Sequence, residues 1–273
     1  MTGQKAPLVR PPTKEELVLP LVNVRLAKAD IRLSFPDYRS YEREWDYRHD
    51  VFSVSGGHRL YRQFVDDEQS GGRLFGHWGQ TVPKRLRRHL TINGEHVFEY
   101  DYQGMQAALA YDLVGEEAPP GDPYDIPGYG KLRRDDFKAC FTSAIGADQH
   151  NPNHNLMSAF SHAVKKQTGS WLQEGEAERM ADAFWEYHAP LNELAGTQAW
   201  RQLQLKESQL MLKVLAHLEE EGVTAIPIHD AALVPISQER ILKRAMMRAR
   251  CELDNHVSVH PAKWMPDAFP HLF

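Results

Sequence analysis

Two aspartates stand where a carboxylate is costly unless something compensates it. Asp101 falls near the end of the apolar run His96-Val-Phe-Glu-Tyr-Asp-Tyr102, and Asp230 lies between Ile226-Pro-Ile228 and Leu233-Val-Pro235. An acid at a strand end beside buried apolar side chains needs a partner, commonly a metal. Two such acids on neighbouring strands would bridge a pair of Mg²⁺ ions spaced for in-line phosphoryl chemistry. Taken singly, either Asp is more often a turn or capping residue.

A second constellation is Arg134-Asp-Asp-Phe-Lys138-Ala-Cys-Phe141-Thr-Ser-Ala-Ile145-Gly146. On a helix, Arg134, Lys138, Phe141 and Ile145 share one face. Two cations and two apolar residues on one stripe suit a triphosphate and its attached base. They equally suit a solvated ridge with Phe141 and Ile145 buried. A third feature is electrostatic. Between Gly71 and Asn93 there are five cations (Arg73, Lys84, Arg85, Arg87, Arg88) and no acid, although the net charge is −5. A basic segment on an acidic body is the footprint expected for a phosphate backbone, or else a solvated loop. The His229-Asp230 dyad also occurs in metal phosphohydrolases, but there on a helix among further histidines. His150 and His154 sit in an Asn- and Pro-rich stretch that reads as a polar loop. The Trp78-Gly79-Gln80 stretch could stack a base, but a lone Trp is more often simply packed.

The elements that must carry these residues follow from pattern. Residues 96–102 read as a strand after the Asn93-Gly94 turn, and a helix follows with Met105, Ala108, Leu109 and Leu113 on one face and Gly115 at its end. A Pro- and Gly-rich loop runs to about Lys131, then helices over Asp135–Ile145 and Glu176–Tyr187. A helix over Lys206–Glu221 carries Met211, Val214, Leu215 and Leu218 at helical spacing before Gly222. Strands over Val223–Ile228 and Ala232–Ile236 flank His229-Asp230-Ala231, and Gln238–Asp254 reads as an amphipathic helix with Leu242, Ala245, Met246, Ala249 and Leu253 on its stripe. Strands and helices without strict alternation imply an α+β layer with an antiparallel sheet backed by helices. Residues 1–20 read as a Pro-containing arm, and 21–65 carry no assignable element.

Composition is that of a globular chain, with 42% hydrophobic and 25% charged residues in 273. There is no apolar run long enough for a transmembrane helix and no signal-like apolar segment at the start, so a cytoplasmic protein without membrane association is expected. Cys140 and Cys251 lie in helical patterns and read as packing residues.

In order along the chain, these segments resemble the A-family DNA polymerases (the bacterial DNA polymerase I group) and the related single-subunit phage-type RNA polymerases. Tyr100-Asp101-Tyr102-Gln103 is similar to the family's first catalytic motif. Arg134-xxx-Lys138 with Ile145-Gly146 is similar to the fingers helix that holds the incoming nucleotide. Ile228-His229-Asp230 is similar to the Val-His-Asp hairpin. Gly72-Arg73-Leu74, Gln80 and Val82-Pro83 resemble the segment that contacts the primer–template minor groove, and Val257–Trp264 resembles the short final palm strand. The resemblance spans roughly residues 71–265, each motif being weak alone and stronger in order.

The resemblance implies a nucleotidyltransferase, a DNA-directed DNA polymerase with a palm and a small helical fingers subdomain. Asp101 and Asp230 would hold two Mg²⁺ ions, with Mn²⁺ as a substitute. Lys138 would bind the triphosphate and protonate pyrophosphate, and Arg134 would fork the terminal phosphate. Phe141, Ile145, Tyr102 and Gln106 would lie along the incoming nucleotide and nascent base pair. Arg73, Gln80, Lys84, Arg87, Arg88 and His229 would contact the primer–template. Three departures bear on sugar choice: Gln106 stands in place of a sugar-screening Glu, Ile145 in place of an aromatic, and Ala231 in place of the Glu after the second Asp. They keep open a primase or small RNA polymerase using ribonucleotides, and a non-catalytic binding module with the same fold. Residues 1–70 would form an N-terminal arm and partial thumb-like region, and 71–273 a palm with fingers reduced to about 115–200. So small a thumb predicts low processivity without a partner or homo-oligomer.

Overall fold

The computed structural model describes residues 11–13, 15–35, 57–148, 160–162, 164–166, 169–253, 258–262 and 265. The chain divides into two compact units, one holding residues up to 68 with 72–103 and 207 onward, the other holding 69–71 and 104–206. Among the described residues the chain combines helices with antiparallel strands, an α+β organisation. No described helix is long and apolar enough to cross a membrane.

The first unit is organised around one strand. β4 (Leu90–Ile92) turns into β5 (Glu95–Gln103) through Asn93-Gly94, whose φ values of 53° and 84° are both left-handed. That is the two-residue turn whose twist matches a hairpin, and it pairs Ile92 with Glu95. β1 (Ile31–Leu33) extends the sheet beside β4. Further along, β5 pairs with β7 (Ala231–Pro235) over Val97–Asp101 and with β8 (Ser258–Pro261) over Tyr100–Gln103. β6 (Ile226–Ile228) pairs with β7, giving the order β1-β4-β5-β7-β6 with β8 against β5. Every pairing in this sheet is antiparallel.

Alternation along β5 then decides which side chains reach which face. The Tyr102 hydroxyl donates to the Met246 carbonyl oxygen at 2.6 Å, and the Tyr100 hydroxyl donates to the Glu239 carboxylate. Both partners belong to α6 (Glu239–Glu252), which buries Leu242, Ala245, Met246 and Ala249 at i, i+3, i+4 and i+7. Burial pushes both tyrosine hydroxyls well above their ordinary range, and the Glu239 carboxylate adds to the shift of Tyr100. Glu99 and Asp101, one residue out of phase, therefore belong to the opposite face. Leu253, expected on the buried stripe of this helix, is exposed, and so is Cys251.

Residues 18–33 and 58–65 belong to this unit. α1 (Val18–Lys28) buries Val18, Val22 and Leu26, β1 joins the main sheet, and β2 (His58–Val65) pairs with β3 (Asp67–His77). The helix expected from Lys206 begins earlier, as α5 (Trp200–Glu220), and its apolar positions Met211, Val214, Leu215 and Leu218 are buried. Residues 223–225, expected as strand, precede β6 without joining it.

The second unit is helical. α2 (Met105–Val114) begins after Gly104 and ends at Gly115, both left-handed. α3 (Arg134–Gly146) and α4 (Glu176–Tyr187) pack an aromatic core in which Phe137, Phe141 and Phe184 are buried and Phe137 stacks on Phe184. His188 ties this core together: one ring nitrogen meets the Tyr111 hydroxyl at 2.8 Å and the other the Pro123 carbonyl oxygen at 2.7 Å. Burial lowers its pKa, with the Pro123 bond opposing the shift. The stretch expected as fingers, about 115–200, lies within this unit. His150 and His154 lie outside the described residues.

Candidate active site

The two aspartates are brought together by strand register. Asp101 on β5 is half-buried and its Cα partners are Ala231 on β7 and His260 on β8. The next residue, Tyr102, donates its backbone N–H to the Asp230 carbonyl oxygen at 3.1 Å. Because Ile228 pairs with Ala231, the β6–β7 connection is only His229-Asp230. His229 is left-handed at φ 55°. A non-glycine residue held there costs about 1–2 kcal/mol, which the tight two-residue connection requires. The short hairpin thus fixes Asp230 beside the end of β5.

The surrounding charges are paired in an ordered way. The Arg87 guanidinium donates to the Glu99 carboxylate at 2.8 Å, and Glu99 lies two residues before Asp101 on the same face of β5. Arg73 makes a two-pronged contact with Glu207, at 2.6 and 2.7 Å. His229 is exposed and sets its ring edge-on to Phe75, with centroids 5.9 Å apart. Desolvation pulls its pKa below the ordinary value; Arg73 and Arg87 push the same way and Asp230 opposes them. Arg73, Arg87, His229 and Asp230 therefore share one electrostatic neighbourhood.

Asp101 on β5 and Asp230 in the β6–β7 turn offer only oxygen donors, the chemistry that a hard divalent cation takes. Mg²⁺ is usually held by one or two carboxylates, with water and substrate phosphates completing its shell. Among the described residues no cluster of three or more His, Cys, Asp or Glu side chains is arranged for a metal. Asp101 and Asp230, whose backbones the register brings together, are the candidate pair for such an ion.

Gln80, expected at the primer–template, has its amide committed inside the fold. Its nitrogen donates to the carbonyl oxygens of Leu74 at 3.0 Å and Pro227 at 2.8 Å, and its oxygen accepts the His77 N–H at 3.1 Å. Pro227 is on β6, so Gln80 braces the hairpin that carries Asp230. His77 completes this turn by accepting the Gly79 N–H on Nδ1 at 3.1 Å. Trp78 is buried and stacked on His77.

Burial, with a smaller contribution from His58, lowers the His77 pKa from 6.5 to about 4. A histidine with a depressed folded-state pKa stays neutral in the fold while the unfolded chain takes up a proton. Its stabilising contribution is therefore whole above pH 6.5 and is lost as pH falls towards 4. The size of the loss is about 3 kcal/mol. Urea unfolding of the wild type at pH 7 and pH 4.5, set against His77→Asn, tests this. The wild type is expected to lose most of that amount and the variant markedly less; equal losses would refute the assignment.

The other expected site residues divide sharply. Lys84 is exposed and Arg88 half-buried, both in the 3-10 turn Lys84–His89 with Arg87. In the second unit, Arg134 and Lys138 lie one turn apart on α3, half-buried and exposed respectively, and Gln106 is half-buried on α2. Arg134 is already held: Nε donates to Asp122 at 2.5 Å and Nη1 to Asp135 at 3.0 Å, while the guanidinium lies 5.4 Å from the Tyr124 ring centroid.

Three of the residues expected along the nucleotide are turned inward. Phe141 and Ile145 are 1% and 4% exposed. The apolar stripe of α3 is Phe137, Cys140, Phe141 and Ala144, which rotates Phe141 away from Lys138 and into the aromatic core beside Tyr124 and Phe184. Tyr102 is turned towards α6, on the face of β5 opposite Asp101, and its hydroxyl is engaged by Met246. Glu99, Glu207 and Asp122 were not anticipated as partners of the site cations. Period-two alternation from Asp101 points to Glu99, whereas the other two pairings join distant segments and leave no local signal. The chain matches no protein-family model, and no curated protein matches it in sequence.

Proposed function

We propose that this chain is a template-directed nucleotidyltransferase that extends a DNA primer. The observation that carries the reading is the register placing Asp101 opposite Ala231, with Asp230 at the adjoining hairpin tip. Two carboxylates at that position are suited to hold Mg²⁺, which would activate a primer 3′-hydroxyl and neutralise the pyrophosphate leaving group. In this reading the palm is the first unit and the fingers the second. Asp101 and Asp230 would hold the cation against which the reacting phosphate is set. Lys138, exposed on α3, offers a mobile ammonium to the triphosphate and a proton to the departing pyrophosphate. Arg134 supplies a planar fork for the terminal phosphate. Arg73, Lys84, Arg87, Arg88 and His229 supply positive charge and hydrogen-bond donors for a nucleic-acid backbone.

An RNA-making variant of the same chemistry is favoured by two departures from the resembling DNA enzymes. Gln106 stands in place of their sugar-screening Glu, and Ala231, buried in β7 opposite Asp101, stands in place of the Glu after their second Asp. The experiment is extension of a labelled primer on a DNA template with Mg²⁺, run separately with deoxyribonucleotides and ribonucleotides. Templated extension is expected with at least one set, and the preferred set assigns the sugar. Tight binding of the primer–template with no extension from either set would favour a non-catalytic binding module.

A further inference from the structure

The loop between α2 and α3 contributes an acid that the proposed chemistry does not use. Asp122 follows Pro119-Pro120-Gly121 and presents its two carboxylate oxygens to two different donors. Oδ1 accepts the Tyr124 backbone N–H at 3.0 Å, and Oδ2 accepts the Arg134 Nε–H at 2.5 Å. The Tyr124 ring forms a wall 5.4 Å from the guanidinium carbon. A guanidinium, a converging backbone N–H and an aromatic wall make a receptor for an oxyanion. Lys138, one helical turn further along α3, adds an exposed ammonium to the same stretch of surface.

We infer that Asp122 is a resident occupant of the Arg134 anion site, a carboxylate that the phosphate of an incoming nucleoside triphosphate must displace. This inference rests on the reading that α3 receives a triphosphate. A terminal phosphate oxygen accepts from the same guanidinium and the same N–H that now hold the carboxylate, so the two ligands compete for one set of donors. Gly121, at φ 95° and with open space where a Cβ would lie, gives the loop a place to swing. In the empty site Asp122 on Nε and Asp135 on Nη1 together satisfy Arg134, and Asp122 is the one that also occupies the converging N–H. A triphosphate, with more charge and with Lys138 as a second contact, displaces it. The arrangement sets a threshold of ligand charge for occupation.

A structural tie and a competitor predict changes of opposite sign. Loss of a tie misplaces Arg134 and weakens triphosphate binding, whereas loss of a competitor strengthens it. Asp122→Asn is the informative change, because the amide oxygen still accepts the Tyr124 N–H and keeps the turn while the charge is lost. Asp122→Ser, which also favours a turn without charge, serves as the second variant should the first fold poorly. The full chain is titrated with a fluorescent adenosine triphosphate analogue in Mg²⁺, followed by anisotropy, with unlabelled inorganic triphosphate as competitor. Asp122→Asn is expected to bind about tenfold more tightly. Arg134→Gln is expected to bind more weakly, and the double variant to match Arg134→Gln, since the gain requires the Nε edge that Asp122 releases while Asp135 stays on Nη1. Unchanged or weaker binding by Asp122→Asn, with Arg134→Gln still impaired, would overturn the inference and leave the proposed function standing. Binding indifferent to both Arg134→Gln and Lys138→Gln would remove the triphosphate from α3 and defeat both.

Discussion

Asp101→Asn and Asp230→Asn are each expected to lower templated primer extension by at least about a thousandfold. Asparagine keeps the volume and one carbonyl acceptor at each position, so the change removes charge and little else. A divalent cation draws most of its binding from that charge, and amide oxygens are poor substitutes in a site with only two protein carboxylates. A thousandfold loss is about 4 kcal/mol of transition-state stabilisation, an ordinary amount for losing a metal ligand. The local backbone should persist, because it is fixed by other groups: β5 by its ladder to β7, and the hairpin by the Gln80 bond to Pro227. Unfolding free energies of both variants, measured alongside, separate loss of the ion site from loss of the fold.

The joint result matters more than either variant alone. Two residues that hold one metal site act as a unit, so Asp101→Asn/Asp230→Asn should be little worse than the single changes. Additive losses would mean that the carboxylates act independently, and retention of extension in either single variant would sink the two-carboxylate reading. A complementary measurement is quenching of Trp fluorescence or proton relaxation by Mn²⁺ in the absence of nucleic acid. It reports occupancy of the site independently of catalysis, and both single variants should weaken it.

Much of the frame around this site is legible from residue pattern because it rests on local rules. Asn93-Gly94 specifies a tight hairpin turn, and the alternation of Phe98, Tyr100 and Tyr102 with Glu99 and Asp101 marks β5. The same alternation, applied one step further, separates Tyr102 from Asp101 by a whole sheet face. The register that joins Asp101 to the Asp230 hairpin spans 129 positions (230 minus 101) and leaves no local trace. α1 escapes a simple reading for a different reason. Its buried Val18, Val22 and Leu26 alternate with Leu17, Leu21 and Val24, which are exposed, so the helix lacks the contrast between apolar and polar faces on which periodicity depends. On α3, the stripe through Arg134, Lys138, Phe141 and Ile145 competes with Phe137, Cys140, Phe141 and Ala144. The second stripe prevails because it buries more apolar surface without taking a lysine with it.

Glu16→Ala is expected to destabilise the first unit by about 3–5 kcal/mol, the range for breaking one side of a buried ion pair. Glu16 and Arg62 are both deeply buried, with side chains 6% and 7% exposed, and their charged groups meet directly. The Arg62 guanidinium also donates to the Gly72 carbonyl oxygen at 3.0 Å and to the Ser208 hydroxyl at 2.8 Å, and it lies 4.6 Å from the Phe64 ring centroid. One arginine thus links the entry to α1, the β2–β3 hairpin and α5. Glu16 serves a second purpose, since its carboxylate accepts the Thr13 N–H at 2.8 Å while the Thr13 hydroxyl accepts the Glu16 N–H at 3.3 Å. This reciprocal pair is a capping box just ahead of α1. Glu16→Gln should retain the box and lose the charge, and Thr13→Ala should lose the box and retain the charge. Denaturant unfolding of the three variants separates the contributions. The expected order of destabilisation is Glu16→Ala, then Glu16→Gln, then Thr13→Ala at about 1 kcal/mol. If Glu16→Gln were as stable as the wild type, the pair would contribute no more than a neutral hydrogen bond. The link between α1 and β2 would then rest on Asn23, which bonds the Leu60 N–H at 2.6 Å and carbonyl oxygen at 3.0 Å, and on the apolar contacts of Val22 and Leu26.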